Sequence, residues 1–352
     1  AEPAKKKDKI AFMKKIADEV KDLGHLLKEK EGEVNKLVMQ IPNPALEDVP
    51  VGKTEEANEV MRTVGEKPNF DFKPKPYMEI ATKLDIIDTE RAAKVSGTRF
   101  GYLKGEAVRL EFALVGYAMK TLEEEGFIPV IPPVLVKEES MAAMGFMERG
   151  KDDIYHTEPD NLYLTGTSEQ SLGPMHMDEI LDEKNLPLKY AGYSPCFRRE
   201  AGSYGKDTKG ILRVHQFDKV EMFVFSKPEE SNQIHEQLLA IEEKLVQGLK
   251  LPYQVVKICT GDLGDPAARK YDIETWIPSE NKYRETHSTS TCTDFQARRL
   301  NTRYKTKDGK NAYVHTLNGT AFAIGRMLIA IIENNQKKDG TFDVPDILKK
   351  YL

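Results

Sequence analysis

The sequence predicts an α+β protein, a mostly antiparallel sheet flanked by helices and preceded by an N-terminal helical extension. Three observations point there. From Lys9 to Ile41 apolar residues recur at alternating steps of three and four. Beyond about Asp88, short period-two runs alternate with hairpin-like loops and scattered helices. The G-x-G-x-x-G and Walker signatures of parallel nucleotide-binding folds are absent, so any nucleotide has to be held by side chains and strand backbone.

At 352 residues and 39% hydrophobic the chain is long enough for one sizeable domain with an appendage, or for two domains. A formal charge of -5 and a pI near 5.9 argue against a general polyanion-coating protein, although a local cluster such as "KKKDK" can still touch phosphate. Cys196, Cys259 and Cys292 lie far apart with no CxxC pair, which predicts reduced thiols in a cytosol-like compartment. No apolar run is long enough to span a bilayer and the Lys-rich start lacks the apolar core of a secretory signal, so a soluble, cytoplasmic protein with no membrane partner is expected. The opening on Ala1 suggests a processed or trimmed product.

Three segments follow from the pattern: a helical extension over 1–41, a Pro-rich and charged linker with the edge of the main domain over 42–88, and the main domain over 89–352. The extension's stripe is Ile10, Met13, Ala17, Val20, Gly24, Leu27, Glu31, Val34, Val38 and Ile41. It reads as a coiled-coil seam, imperfect at Gly24 and Glu31, with no second copy in the sequence, one half of something; an ordinary amphipathic helix packed on the globular body is the alternative. The main domain opens with an amphipathic helix from Leu103 to Glu125, ended at Gly126, and a strand "FIPVIPPVLV" closed by Pro132 and Pro133.

Four later segments carry chemistry. In "SPCFRREAGSYGKDTKGILRVHQFDKVEMFVF", two strands flank a loop from Ala201 to Gly210. Period two places Cys196, Arg198 and Glu200 on one face of the first strand, and Arg213, His215, Phe217, Lys219 and Glu221 together on the second. Guanidinium for phosphate, a ring for stacking and carboxylate for an exocyclic amine suit a purine triphosphate such as ATP; cross-strand Arg–Glu pairs are the alternative. In "YLTGTSEQ", Thr165, Thr167 and Glu169 suit a small ligand with an ammonium, or form a capped helix start. In "YRETHSTSTCTDFQARRLNTRY", Glu285 and Ser288 are oxygen ligands of the kind Mg²⁺ takes beside phosphates, but their three-residue spacing needs a bulge. "AYVHTLNGTAFAIGRMLIAIIENN" reads as a strand to Leu317, a turn at Asn318 and Gly319, and an apolar helix holding one charge, Arg326, about two turns in. A buried guanidinium needs an anion, either a ligand phosphate or a protein carboxylate.

Together and in this order these segments resemble class II aminoacyl-tRNA synthetases, those of the seryl type in particular. Motif one (103–135) is similar to "GFIPVIPPVL", motif two (193–225) to "FRREAG…RVHQF" and motif three (312–334) to "LNGTAFAIGR"; "TGTSE", "HQFDKVE", "CTGDLG" and "TDFQARR" carry the serine-type marks. The resemblance implies ATP-dependent activation of L-serine and transfer to tRNA(Ser), with Arg198 and Arg326 catalytic. It implies an ATP site of Arg198, Arg199, Glu200, Arg213, Val214, Phe217, Glu285, Ser288 and Arg326, the adenine lying between Phe217 and Arg326. Mg²⁺ would sit on Glu285 and Ser288. The serine site would comprise Thr167, Ser168, Glu169, Arg198, Glu221, Asn318 and Thr320. It also implies a homodimer through motif one.

Two departures accompany it. "ETHSTST" replaces the more usual E-x-S-S-C-S-N, placing His287, Thr289 and Thr291 where other groups are common, and Ala321 stands where glycine is frequent. Only a sequence like the second helix of the family's two-helix tRNA-gripping arm is present, from about Asp8 to Ile41, so a weakened tRNA step is expected. The rival readings are a zinc-dependent ligase that loads an amino acid onto a carrier protein, disfavoured because no Cys/Glu/Cys set matches, and a non-catalytic paralogue, disfavoured because Arg198, Glu200, Glu285 and Arg326 are all present.

Overall fold

A computed structural model describes residues 3–148, 150–202, 205, 207 and 209–352, and side chains outside 3–7 and 35. The side chains of Lys5, Lys6 and Lys7 in "KKKDK", and Ser203, Tyr204, Lys206 and Thr208 of the Gly-rich loop, therefore lie outside what is described. The chain divides into two compact units, Ala1–Pro42 and Asn43–Leu352. The first is one 37-residue helix, α1 (Pro3–Met39), along which Ile10, Met13, Val20, Leu27, Val34 and Val38 are exposed.

The second unit is built on eight strands: β1 (Glu59–Val64), β2 (Ile128–Val130), β3 (Leu188–Phe197), β4 (Gln216–Ser226), β5 (Tyr253–Lys257), β6 (Arg269–Ile277), β7 (Lys282–Thr291) and β8 (His315–Ala323). They lie in the order β1-β5-β6-β7-β8-β4-β3-β2, antiparallel throughout except where β2 runs parallel to β3. Helices α2 (Glu106–Glu124), α3 (Ser231–Gly248) and α4 (Ile324–Asn334) contribute Leu110, Leu114, Leu238, Leu245, Met327 and Ile331 to one core, which Val220, Met222 and Val224 of β4 join. On the opposite face of β4, Phe223 and Phe225 enter a second core with Leu172, Ala297 and Leu300. This central strand is covered on both sides, which is why its sequence lacks a plain inside-outside alternation.

Three strands each carry one residue too many: Met61 in the edge strand β1, and two residues in strands that border the cleft. Along β6–β7 the pairing steps from Ile273↔His287 to Glu274↔Glu285, leaving Thr286 unpaired. Along β4–β8 it steps from Val220↔Phe322 to Glu221↔Thr320, leaving Ala321 unpaired. Each bulge reverses which face the following side chains occupy.

Several boundaries differ from expectation. "FIPVIPPVLV" is not one strand: Ile128–Val130 belongs to the main sheet and Leu135–Lys137 to a separate three-stranded sheet, because Pro132 and Pro133 have no N–H to give a ladder. Tyr102–Leu103 is a strand paired with Ile87–Asp88, and the helix begins only at Glu106, after Gly105 at φ 53°. The stretch after the Pro-rich segment supplies the edge strand β1 and a helix at Tyr77–Lys83. Asn318 and Gly319 do not turn, since both pair with β4 as well as β7; the ladder outweighs the local Asn-Gly signal, and Arg326 falls in the first turn of α4. Finally, β3 stops at Phe197 and β4 starts at Gln216, so Arg198, Glu200, Arg213 and His215 lie beyond the ladder.

Truncating Leu238, which is 1% exposed in the larger core, to alanine is expected to cost about 2–5 kcal/mol in urea unfolding. Val51→Ser, at a residue 91% exposed, should change stability by less than about 0.5 kcal/mol.

Candidate active site

The ends of β3, β4, β7 and β8 and the start of α4 form one cleft, lined by Arg198, Glu200, Arg213, Val214, Phe217, Lys219, Glu285 and Arg326 among others. Arg198 and Arg326, far apart in sequence, therefore meet in one space. Each already has an oxygen partner. Arg198 Nε donates to the Gly166 carbonyl (3.2 Å), and Arg326 Nη1 donates to the Glu285 carbonyl (2.9 Å) and lies 3.0 Å from its carboxylate. Arg213 pairs with Glu200 at 2.7 Å. Neither arginine of the first two is sealed in, so an entering anion exchanges one partially solvated pairing for another.

The bulge at Thr286 decides the second feature. Glu285 pairs with Glu274 and Ser288 with Asp272, alternate residues of one strand, so Glu285 and Ser288 share a face despite odd spacing. Against a desolvation that would raise it, the charges of Arg326, Lys270 and Arg198 hold the Glu285 carboxyl below its usual range. His287 falls on the other side. It is 1% exposed, its ring meets Phe322, and burial pushes its pKa down to about 3, so the imidazole is neutral and takes no part in the cleft.

Beyond the cleft lies a cluster of buried polar side chains, the candidate amino-acid pocket. Glu169 opens a short helix (Glu169–Leu172), the capped-turn alternative of the sequence reading, with Thr167 Oγ1 accepting from the Glu169 N–H (3.3 Å). Its Oε1 accepts from Gln296 Nε2 (2.8 Å) and Asn318 Nδ2 (3.1 Å). Burial, then the nearby Glu221 charge, raises its pKa to about 7, against the lowering effect of Gln296, Lys219 and Arg198. Glu221 is 2% exposed; its Oε2 lies 2.6 Å from Lys219 Nζ and accepts from Thr320 Oγ1 (3.3 Å). The bulge at Ala321 brings Thr320 opposite Glu221. Ser168 Oγ is buried and bonds Ser194 Oγ (3.1 Å), away from Glu169's carboxylate.

Most of the expected residues are thus gathered, with two exceptions. Arg199 is exposed, its backbone N–H tied to the Asp153 carbonyl (2.8 Å), and it does not line the cleft. His215 turns away, Nδ1 on the Arg198 carbonyl (2.9 Å) and the ring against Phe100 and Tyr155. The Arg198 guanidinium lies over the Phe217 ring, 5.3 Å from its centroid. Sequence reasoning missed Gln296, whose signal was a lone amide in the otherwise apolar turn "DFQA", and left Lys219 without a role.

A family model for the tRNA synthetase class II core domain (G, H, P, S and T) matches residues 154–335, which places the fold and this cleft among the class II aminoacyl-tRNA synthetases. The chain is 52% identical to the serine--tRNA ligase of Sulfurihydrogenibium sp. over 92% of its length and 78% of that protein's. It is 48% identical to that of Clavibacter michiganensis over 100% and 82%. The crystal structure of Pyrococcus horikoshii seryl-tRNA synthetase complexed with ATP superimposes with a TM-score of 0.94 at 45% identity, covering 97% of this chain and 81% of that one. The chain belongs to the serine--tRNA ligase family.

Proposed function

We propose that this chain activates L-serine with ATP and transfers the seryl group to tRNA(Ser). The observation that carries the reading is the convergence of Arg198 and Arg326 on one cleft, two of whose lining residues, Lys219 and Thr320, bind Glu221 of the buried acid pair. The pocket's two acids suit a zwitterion bearing a hydroxyl: Glu169 for the ammonium, Glu221 with Thr320 for the hydroxyl. The seryl carboxylate attacks the α-phosphorus of ATP, a C–O–P bond forms and the bond to the leaving pyrophosphate breaks. A ribose hydroxyl of the tRNA then takes the acyl group, and AMP leaves. Two anions must approach in the first step, so the work is charge neutralisation and in-line positioning, not covalent catalysis by the protein. Arg198 serves the α-phosphate and Arg326 a far phosphate, releasing Glu285. Arg213 and Val214 line the nucleotide's side of the cleft and Phe217 offers it a ring.

Among the described residues no three His, Cys, Asp or Glu side chains are placed to hold one ion. The pair Glu285 and Ser288 on one face suits Mg²⁺, a cation that takes one or two protein oxygens and completes its shell on phosphates, and when bound it would neutralise phosphate charge. Among the described residues no helix is long and apolar enough to cross a membrane, and the three cysteines are free and buried, which supports a cytoplasmic location.

Serine-dependent exchange of pyrophosphate into ATP tests the reading, and its absence would sink it. Arg326→Ala is expected to lower that exchange by about 10²–10³-fold with little change in melting temperature, since its pair with Glu285 is exposed.

The pH dependence follows from Glu169, which is surrounded by Glu221, Lys219, Arg198, Gln296, Asn318 and Cys292. With its pKa raised to about 7, it is protonated in the free protein at lower pH and must lose that proton to receive an ammonium. The apparent KM for serine should be flat above neutrality and climb toward about tenfold per pH unit below it. Glu169→Gln should raise KM and flatten the profile; an unchanged profile would rule out this role.

A homodimer through 103–135 accompanies the proposal. Phe112, Ile128, Ile131 and Leu135 are 62%, 53%, 84% and 44% exposed, an apolar set that a second subunit would cover. A monomer in light scattering at micromolar concentration would contradict it.

A further inference from the structure

Strand β4 bears Phe217, Lys219 and Glu221 at alternate positions, so all three stand on the ligand face of the sheet. Phe217 and Lys219 line the nucleotide cleft, and Glu221 belongs to the polar pocket beyond it. Lys219 occupies the join between the two. It is 5% exposed and its Nζ lies 2.6 Å from Glu221 Oε2.

The fold does not ask for a charge here. Val220, Met222 and Val224 supply the helix-side core, and Phe223 and Phe225 fill the other face further along the strand. A buried ion pair is weak ground for stability, because desolvation of both partners consumes most of the attraction and apolar residues often serve as well. The pair therefore asks for another account.

The two acids of the pocket differ in their partners. Glu169 is held by neutral amides, Gln296 and Asn318, which leave its charge to be met by a cation. Glu221 already has its cation. Lys219 and Thr320 both bind Oε2, which assigns the other oxygen, Oε1, to the ligand. A carboxylate whose charge is already neutralised still accepts a hydrogen bond from a hydroxyl but has no surplus charge to attract an ammonium. Without the lysine, two similar buried carboxylates would compete for the one ammonium of the substrate, or one would take up a proton and lose acceptor capacity.

We propose that Lys219 is a specificity-determining positioning residue: by neutralising Glu221 it makes that carboxylate a hydroxyl acceptor and leaves Glu169 as the ammonium acceptor, so the pocket reads serine in one orientation. The inference rests on the serine-activating reading above and goes beyond it in naming what divides the two acids.

The experiment measures pyrophosphate exchange with serine and with alanine, alongside ATP saturation and melting curves, for the unsubstituted chain, Lys219→Met, Lys219→Arg and the double variant Lys219→Met/Glu221→Gln. Lys219→Met is expected to lower kcat/KM for serine by about 100-fold and the serine-over-alanine preference by about tenfold, with KM for ATP changed less than about threefold. Lys219→Arg should recover most of the loss, because it restores the cation. The double variant, which strands no buried charge, should fold even if Lys219→Met does not, and should also lack the preference. A Lys219→Met or double variant that retains the serine-over-alanine preference overturns the inference. So does equal loss toward serine and ATP with arginine no better than methionine. No serine-dependent exchange by the unsubstituted chain would overturn the underlying reading and the inference together, a result distinct from either.

Discussion

The site depends on the register of one mostly antiparallel sheet, in which two of the strands bordering the cleft each hold a surplus residue. Side chains in a strand alternate, so a single unpaired residue exchanges which face everything beyond it occupies. Thr286 does this in β7 and puts Glu285 beside Ser288; Ala321 does it in β8 and puts Thr320 opposite Glu221. Both bulges border the same cleft. The ladder that sets them also runs through Asn318 and Gly319, a pair that in isolation favours a turn.

Charge is the second organising feature. The cleft and pocket hold cations and carboxylates already matched within the protein: Arg326 with Glu285, Arg213 with Glu200, Lys219 with Glu221. The first two are partly open to solvent and can be exchanged for ligand phosphate at low cost, whereas the third is sealed and stays. Exposure thus sorts these pairs into replaceable and permanent ones. The departures in "ETHSTST" fit the same frame. His287 faces away from the cleft into the core, and Thr289 is buried with its hydroxyl donated to the Asn318 carbonyl (2.8 Å), so neither adds charge to the site.

Much was legible before any coordinates. The α+β class and the helical extension follow from periodicity, whereas the three motifs and the gathering of Arg198, Glu200, Arg213, Phe217, Glu285 and Arg326 were expected from the family resemblance, since guanidinium, ring and carboxylate alone left Arg–Glu pairing open. What was misread was geometric. Arg198 and Arg213 were placed on strands when they lie beyond strand ends; His215 was grouped with them by spacing and Arg199 by the resemblance, although their bonds to the Arg198 and Asp153 carbonyls lie elsewhere. Gln296 escaped notice because its role is to hold Glu169, a residue distant in the chain, and such a partner has no local signature.

The amino-acid order by itself determined the chemistry on offer: which groups exist, that an unpaired guanidinium in an apolar helix requires an anion, and that Glu285 and Ser288 need a bulge to act together. Tertiary structure alone decided where the surplus residues fall, which arginine stands over Phe217, and that Lys219 belongs to Glu221. The reason is physical. Propensity and periodicity act over a few neighbouring residues, whereas register, burial and ion pairing are settled by ladders and cores that join segments far apart in the chain.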